Sequence, residues 1–178
     1  MLQHQAVFLD RDGVLNRERG AYTYHPGHFE LLPGVCKSLH RLQAAGFKLI
    51  VITNQGGISK GVYTAEDVWH CHHYLMQACG IRLDDLFFAP MHPSVSRSLA
   101  FKPQSLMLER ALALHRINPS RSWMVGDSTR DIEAARKVGL RTIFISGKKE
   151  AACESADYTA HSLAEATGII LQASTKDN

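Results

Sequence analysis

The sequence predicts an α/β fold: a single Rossmann-like, three-layer domain in which helices cover both faces of a parallel sheet. Short apolar runs alternate with segments of helical periodicity along the chain, which is the βαβ pattern. The strand runs are apolar throughout, as a parallel strand buried on both faces requires. The 178 residues suffice for one such domain and are short for two, so residues 1–178 are expected to form a single domain.

Ala6-Val7-Phe8-Leu9 is a short apolar run ending in acids and reads as the first strand. Pro33-Gly34 opens a helix with Val35, Leu39, Leu42 and Ala45 on one face, stopped by Gly46. Lys48 to Ile52 is the second strand. Thr64-Ala65-Glu66-Asp67 forms a capping box, and its helix runs to about Cys79 and ends at Gly80. Leu86 to Ala89 is the third strand. Gln104 to about Ile117 is a helix carrying Leu108, Ala111, Leu112 and His115 at helical spacing. Trp123 to Val125 is the fourth strand, followed by a helix from Ile132 to Val138 closed by Gly139. Thr142 to Ile145 is the fifth strand, Tyr158 lies on a short sixth, and Leu163 to Leu171 is the last helix.

Composition excludes several classes. With 45% hydrophobic and 21% charged residues, the chain is neither disordered nor collagen-like nor a coiled coil. The apolar stretch Leu49–Ile52 is far too short to span a bilayer. Twenty Lys and Arg against 17 Asp and Glu leave a net charge of +3, with the basic residues scattered. That suits a small anion and gives no footprint for nucleic acid. Lys148-Lys149 is the densest basic run and reads as a solvated loop. Cys36, Cys71, Cys79 and Cys153 show no CxxC spacing and are expected to be reduced thiols, partly buried. The first residues, Met-Leu-Gln-His-Gln, lack the basic region of a signal peptide, so a cytoplasmic protein is expected. His70-Cys71-His72-His73 lies within the second helix; His70 and His73 share a face, which helical spacing explains as polar surface without a metal.

In parallel sheets ligands bind beyond the carboxyl ends of the strands. The first strand ends in Asp10-Arg11-Asp12-Gly13 and the second in Thr53-Asn54-Gln55-Gly56-Gly57. The third leads to a loop closing on Lys102-Pro103, and the fourth ends in Gly126-Asp127-Ser128, with Asp131 one turn on. A single acid in such a place is usually a helix cap. Four strand ends carrying acids, a hydroxyl and a lysine to one edge are a different matter. Clustered carboxylates repel and call for a hard cation such as magnesium. Lys102 adds fixed positive charge for a phosphoryl group. Thr53 and the backbone amides of Asn54 and Gln55 can donate to phosphate oxygens, aided by a helix N-terminus beyond that loop. One carboxylate can attack phosphorus. Another can protonate the leaving alcohol and then activate water.

Phe8-Leu9-Asp10-Arg11-Asp12-Gly13-Val14-Leu15, Thr53-Asn54-Gln55, Lys102-Pro103 and Gly126-Asp127-Ser128-x-x-Asp131 resemble, in order and spacing, the four motifs of the haloacid dehalogenase-like (HAD) superfamily. The text FLDRDGVLN, then FELLPGV, then TNQGGISKGVYT resembles the branch of histidinol-phosphatases and D,D-heptose 1,7-bisphosphate phosphatases. The resemblance implies a magnesium-dependent phosphatase with a capless fold. It implies Asp10 as nucleophile, Asp12 as general acid and base with its carbonyl on magnesium, and Thr53 as phosphoryl binder. Lys102 would neutralise nucleophile and phosphate and also bind substrate, with Asn54, Gln55 and Gly56. Asp10, Asp12 and Asp127 would hold the metal, with Asp131 in the outer shell.

The chain departs from that branch in the loop before Lys102. Members commonly carry a zinc site there, with Cys-x-His and then Cys-x-Cys. The equivalent positions are Ala89, Met91, Ser98 and Ala100, and His92 alone makes no site, so no zinc is expected. The arginine usual before the lysine is Phe101. With no length left for a lid, residues 16–30 and 90–101 are expected to shape an open cleft. The expected substrate is a small phosphorylated metabolite, foremost a heptose 1,7-bisphosphate, then histidinol phosphate or another phosphomonoester. The protein is expected to be a monomer, with no nucleic-acid or membrane partner. A signalling receiver domain also gathers Asp, Thr and Lys at strand ends, but it has no counterpart to Gly126-Asp127-Ser128-x-x-Asp131. A binding protein that has lost catalysis would be expected to lack part of the acid set, which is intact here.

Overall fold

The computed structural model describes residues 4–147 and 150–176. Lys148-Lys149 therefore lies outside the described residues. Six strands form one sheet: β1 (Ala6–Leu9), β2 (Lys48–Asn54), β3 (Asp85–Ala89), β4 (Trp123–Gly126), β5 (Arg141–Ile145) and β6 (Tyr158–Ala160). Their order is β3-β2-β1-β4-β5-β6, and every pairing is parallel. The helices are α1 (Val35–Ala44), α2 (Ala65–Cys79), α3 (Leu106–Leu114), α4 (Thr129–Lys137) and α5 (Leu163–Lys176).

The period of two along β1 splits the core between the faces. Val7 and Leu9 join Leu49, Val51, Leu39, Leu42, Leu75 and Ile170 on the side of α1, α2 and α5. Ala6 and Phe8 join Ile50, Ile52, Met124, Leu108 and Ala134 on the side of α3 and α4. Each fully buried Leu, Ile or Phe contributes about 1.5–3 kcal/mol relative to exposure. The chain leaves β1 toward β2 on one side and reaches β4 on the other, so the sheet reverses winding between β1 and β4. The crevice at that switch point is where open α/β sheets bind ligands.

The expected elements form, with shifts at their ends that have local causes. Helix α4 starts at Thr129 rather than Ile132, because Ser128 and Asp131 build a capping box. Thus the acidic motif is itself the first turn. Helix α3 is shorter than expected. It ends at Leu114, where Arg116 turns left-handed (φ 52°) and Ile117 N–H closes on Leu112 O. Ala45 is an exposed cap rather than part of the apolar face. The expectation of four reduced thiols fails for two. Cys36, in the first turn of α1, is bonded to Cys79, at the end of α2. The helices pack side by side there and bring the Cα atoms to 4.8 Å, a tertiary proximity that the 43-residue separation hides. Cys71 and Cys153 are free and buried. Among the described residues no helix is long and apolar enough to cross a membrane.

Candidate active site

The carboxyl ends of the strands open into a cleft of about 1180 Å³. Asp10, Asp12, Thr53, Asn54, Gln55, Gly56, Lys102, Asp127 and Asp131 all line it, so every sequence-predicted site residue reaches one place.

Lys102 is the hub. Its ammonium donates to Ile52 O at 2.7 Å and pairs with Asp10 Oδ1 at 2.9 Å and Asp131 Oδ1 at 2.6 Å. All three protons are therefore spoken for on a side chain that is almost wholly buried. Burial works against its charge, but Asp10 and Asp131 outweigh that and raise its pKa. Burial, and then the charge of Asp10, push Asp131 up to about 6 against the pull of Lys102. Asp131 also accepts from Ser128 N–H at 3.1 Å. It is buried as fully as Lys102.

Oxygens of Asp10, Asp127 and Asp131 lie within 4.8 Å of one another. Three hard carboxylate donors this close, two of them on the Lys102 ammonium, suit an octahedral divalent cation such as magnesium. The packing leaves room for little else. A Cβ on Gly13, which has φ +90°, would overlap the Asp127 carboxylate, and one on Gly126 would overlap Asp131. These glycines let the backbone close on the acids.

Asp12 is held apart from this cluster. Arg11 grips it from Nε at 3.1 Å and Nη2 at 2.9 Å, Asn16 donates to it at 2.9 Å, and Gln55 Nε2 at 3.3 Å. Gln55 Nε2 also donates to Thr53 Oγ1 at 3.0 Å, while its carbonyl accepts from Tyr63 O–H at 2.7 Å. Tyr63 stacks on Tyr24, and burial raises its phenol to about 12. Arg11, Asn16 and Tyr63 were not singled out in the sequence. Arg11 had a signal, a cation between two acids; the other two are brought in only by the tertiary fold.

Two expectations about the second strand end need correction. Gln55 N–H is not available to a phosphate, because it donates to Ala89 O at 2.8 Å. The N-terminus of α2 does not line the cleft either, since nine residues separate Gln55 from Ala65 and the cap at Thr64 is exposed. Asn54 serves the scaffold: its side chain accepts from Lys102 N–H at 2.9 Å and donates to Lys102 O at 3.1 Å. It clamps the backbone of the lysine.

The loops expected to shape the cleft do so, through Arg17 to Thr23 on one side and His92 and Phe101 on the other. His92 Nδ1 takes Ser94 N–H at 3.1 Å, and the ring meets Phe101 edge-on at 5.8 Å. Within α2, His70 and His73 are exposed, as their shared polar face predicts. His72 is the buried histidine, against Trp69.

Residues 100–166 match the HAD-hydrolase-like family model. The chain is 33% identical over 147 residues to the D-glycero-beta-D-manno-heptose-1,7-bisphosphate 7-phosphatase of Haemophilus ducreyi, a match covering 78% of this chain and 80% of that protein. It is 34% identical over 173 residues to the enzyme of the same name from Escherichia coli K12, over 90% of each. The fold matches the D,D-heptose 1,7-bisphosphate phosphatase of B. bronchiseptica, solved with magnesium and phosphate, at a TM-score of 0.86 and 25% identity, over 95% of this chain and 99% of that one. Strand-end carboxylates around a buried lysine, on this sheet order, fit a phosphoryl-group hydrolase. Within that class, the chain belongs to the HAD-like phosphatase family, on the branch of these heptose-bisphosphate phosphatases.

Proposed function

We propose that this chain is a magnesium-dependent phosphomonoester hydrolase that works through an aspartyl-phosphate on Asp10, within one domain and without a lid. The substrate that the relatives' names support is D-glycero-D-manno-heptose 1,7-bisphosphate, cleaved at the 7-phosphate. The observation that carries the reading is the convergence of Asp10, Asp127 and Asp131 at the switch point, with Lys102 paired to Asp10 and Asp131.

Asp10, Asp127 and the carbonyl of Asp12 would hold magnesium, with Asp131 behind them; the cation would offset phosphate and carboxylate charge. Asp10 attacks phosphorus with the carboxylate oxygen left exposed to the cleft. Its other oxygen, Oδ1, is fixed by Arg11 N–H at 2.8 Å and by Lys102. Thr53 Oγ1 donates to a phosphoryl oxygen while itself accepting from Gln55. Asp12 protonates the leaving alcohol, then takes a proton from the water that hydrolyses the aspartyl-phosphate. In the structure Asp12 lies on Arg11, so this role requires it to turn from that pair toward the leaving group. Lys102, with no spare proton, stabilises charge rather than transferring a proton.

The test is turnover of nitrophenyl phosphate with magnesium, followed by a panel of heptose bisphosphate, histidinol phosphate and other sugar phosphates. Asp10→Asn should lower kcat by orders of magnitude while the fold persists. Activity within about tenfold of wild type would sink Asp10 as nucleophile.

A further inference from the structure

The cations around the cleft are unequally committed. Arg11 is paired with Asp12 at 2.9 Å, Arg17 with Glu30 at 2.8 Å, and Lys102 with Asp10 and Asp131. Arg130 is the exception among the described residues that line the cleft: no carboxylate lies within ion-pair distance of it. Its one polar contact is a long one, Nε to Ser128 Oγ at 3.4 Å. Glu150, the acid that reaches this turn, accepts instead from Ser128 Oγ at 3.0 Å, from Thr129 N–H at 2.8 Å and from the Thr129 hydroxyl.

Arg130 stands in the first turn of α4, three residues beyond Asp127 and directly before Asp131. It is thus exposed at the rim, immediately outside the buried acids. Beyond the ends of β5 and β6, His161 Nδ1 meets Ser146 Oγ at 2.8 Å and both also line the cleft. Aromatic rings line other parts of the cleft: Tyr22, Tyr63 and Phe101. A ligand with two anionic ends would set the reacting phosphate on Lys102 and Thr53. Among the described residues that line the cleft, the uncommitted guanidinium for its other end is Arg130.

We propose that Arg130 is the specificity-determining cation of this enzyme: it holds the second, non-reacting phosphate of a sugar bisphosphate. A guanidinium fork matches two phosphate oxygens at once, and desolvated by the ligand such a contact is worth more than an exposed ion pair. The inference rests on the phosphatase reading above and names the residue that gives it a bisphosphate substrate.

The experiment compares kcat/KM for heptose 1,7-bisphosphate with that for heptose 7-phosphate, which lacks only the distal group. Wild-type enzyme should prefer the bisphosphate. Arg130→Gln should collapse that preference by about ten- to hundredfold, through KM more than kcat. Arg130→Lys should keep part of it, since the charge stays and the fork is lost. An unchanged thermal midpoint for both variants separates recognition from folding. The proposal is overturned if wild type does not discriminate, if the preference survives Arg130→Gln, or if both substrates lose equally. Failure of the phosphatase reading shows elsewhere, as no turnover of nitrophenyl phosphate with magnesium.

Discussion

The floor of the cleft and its rim are built on opposite terms. On the floor, Lys102, Asp10 and Asp131 come from separate strand ends, are buried, and satisfy one another at 2.6–2.9 Å. At the rim, Tyr22, Arg130 and His161 are exposed and held by few contacts. A floor residue cannot change without stranding a buried charge, which costs several kcal/mol. A rim residue can change at almost no cost to the fold. On the proposed function, the reaction is set where stability and chemistry constrain the same atoms, and substrate choice where stability is indifferent.

The largest expected effect comes from emptying the hub. Lys102→Met should abolish turnover and destabilise the protein by about 3–5 kcal/mol, because Asp10 and Asp131 lose their counter-charge. Magnesium should raise the thermal midpoint of this variant more than that of wild type, since the cation replaces part of the missing charge. A variant as stable as wild type without metal would mean that the floor and rim do not differ as described.

The legibility of the two regions in sequence follows the same line. Asp10, Asp12, Thr53, Lys102 and Asp127 could be read because strand ends converge by topology and their residue types combine in few chemistries. The strands could be read because burial on both faces leaves unbroken apolar runs such as Leu49 to Ile52. What could not be read depends on packing across the chain. The Cys36–Cys79 bond joins two helix ends. Tyr63 acts through Gln55, eight residues away on a loop whose course the sequence does not reveal. The acceptor of Gln55 N–H, Ala89 O, comes from β3, 34 residues on.

A smaller effect tests whether buried polarity alone marks a functional floor. His72 is buried in α2, away from the cleft, and burial, then neighbouring His73, lowers its pKa from 6.5 to about 4. The folded state thus binds fewer protons than the unfolded state between pH 6.5 and 4. Stability from this group is present above about pH 6.5 and is lost as pH falls toward 4, by up to about 3 kcal/mol. His72→Gln should flatten the fall of the thermal midpoint across that window and leave kcat at neutral pH unchanged. An equally steep acid limb in the variant would refute the burial account.

The smallest effect lies at the boundary between the two regions. Tyr63→Phe removes the hydroxyl that donates to Gln55 and leaves that buried carbonyl oxygen without its donor, at a cost of about 1–2 kcal/mol. For a chain of this size, that is a fall of roughly 2–8 °C in the thermal midpoint. Gln55 would also lose the contact that fixes which way its amide faces, and with it the steady donation to Thr53 Oγ1 and Asp12 Oδ2. A few-fold drop in kcat with KM little changed would make Tyr63 a positioning residue and extend the floor outward to it. A lower midpoint with kcat intact would end the floor at Gln55 and leave Tyr63 to the packing of the aromatic rings.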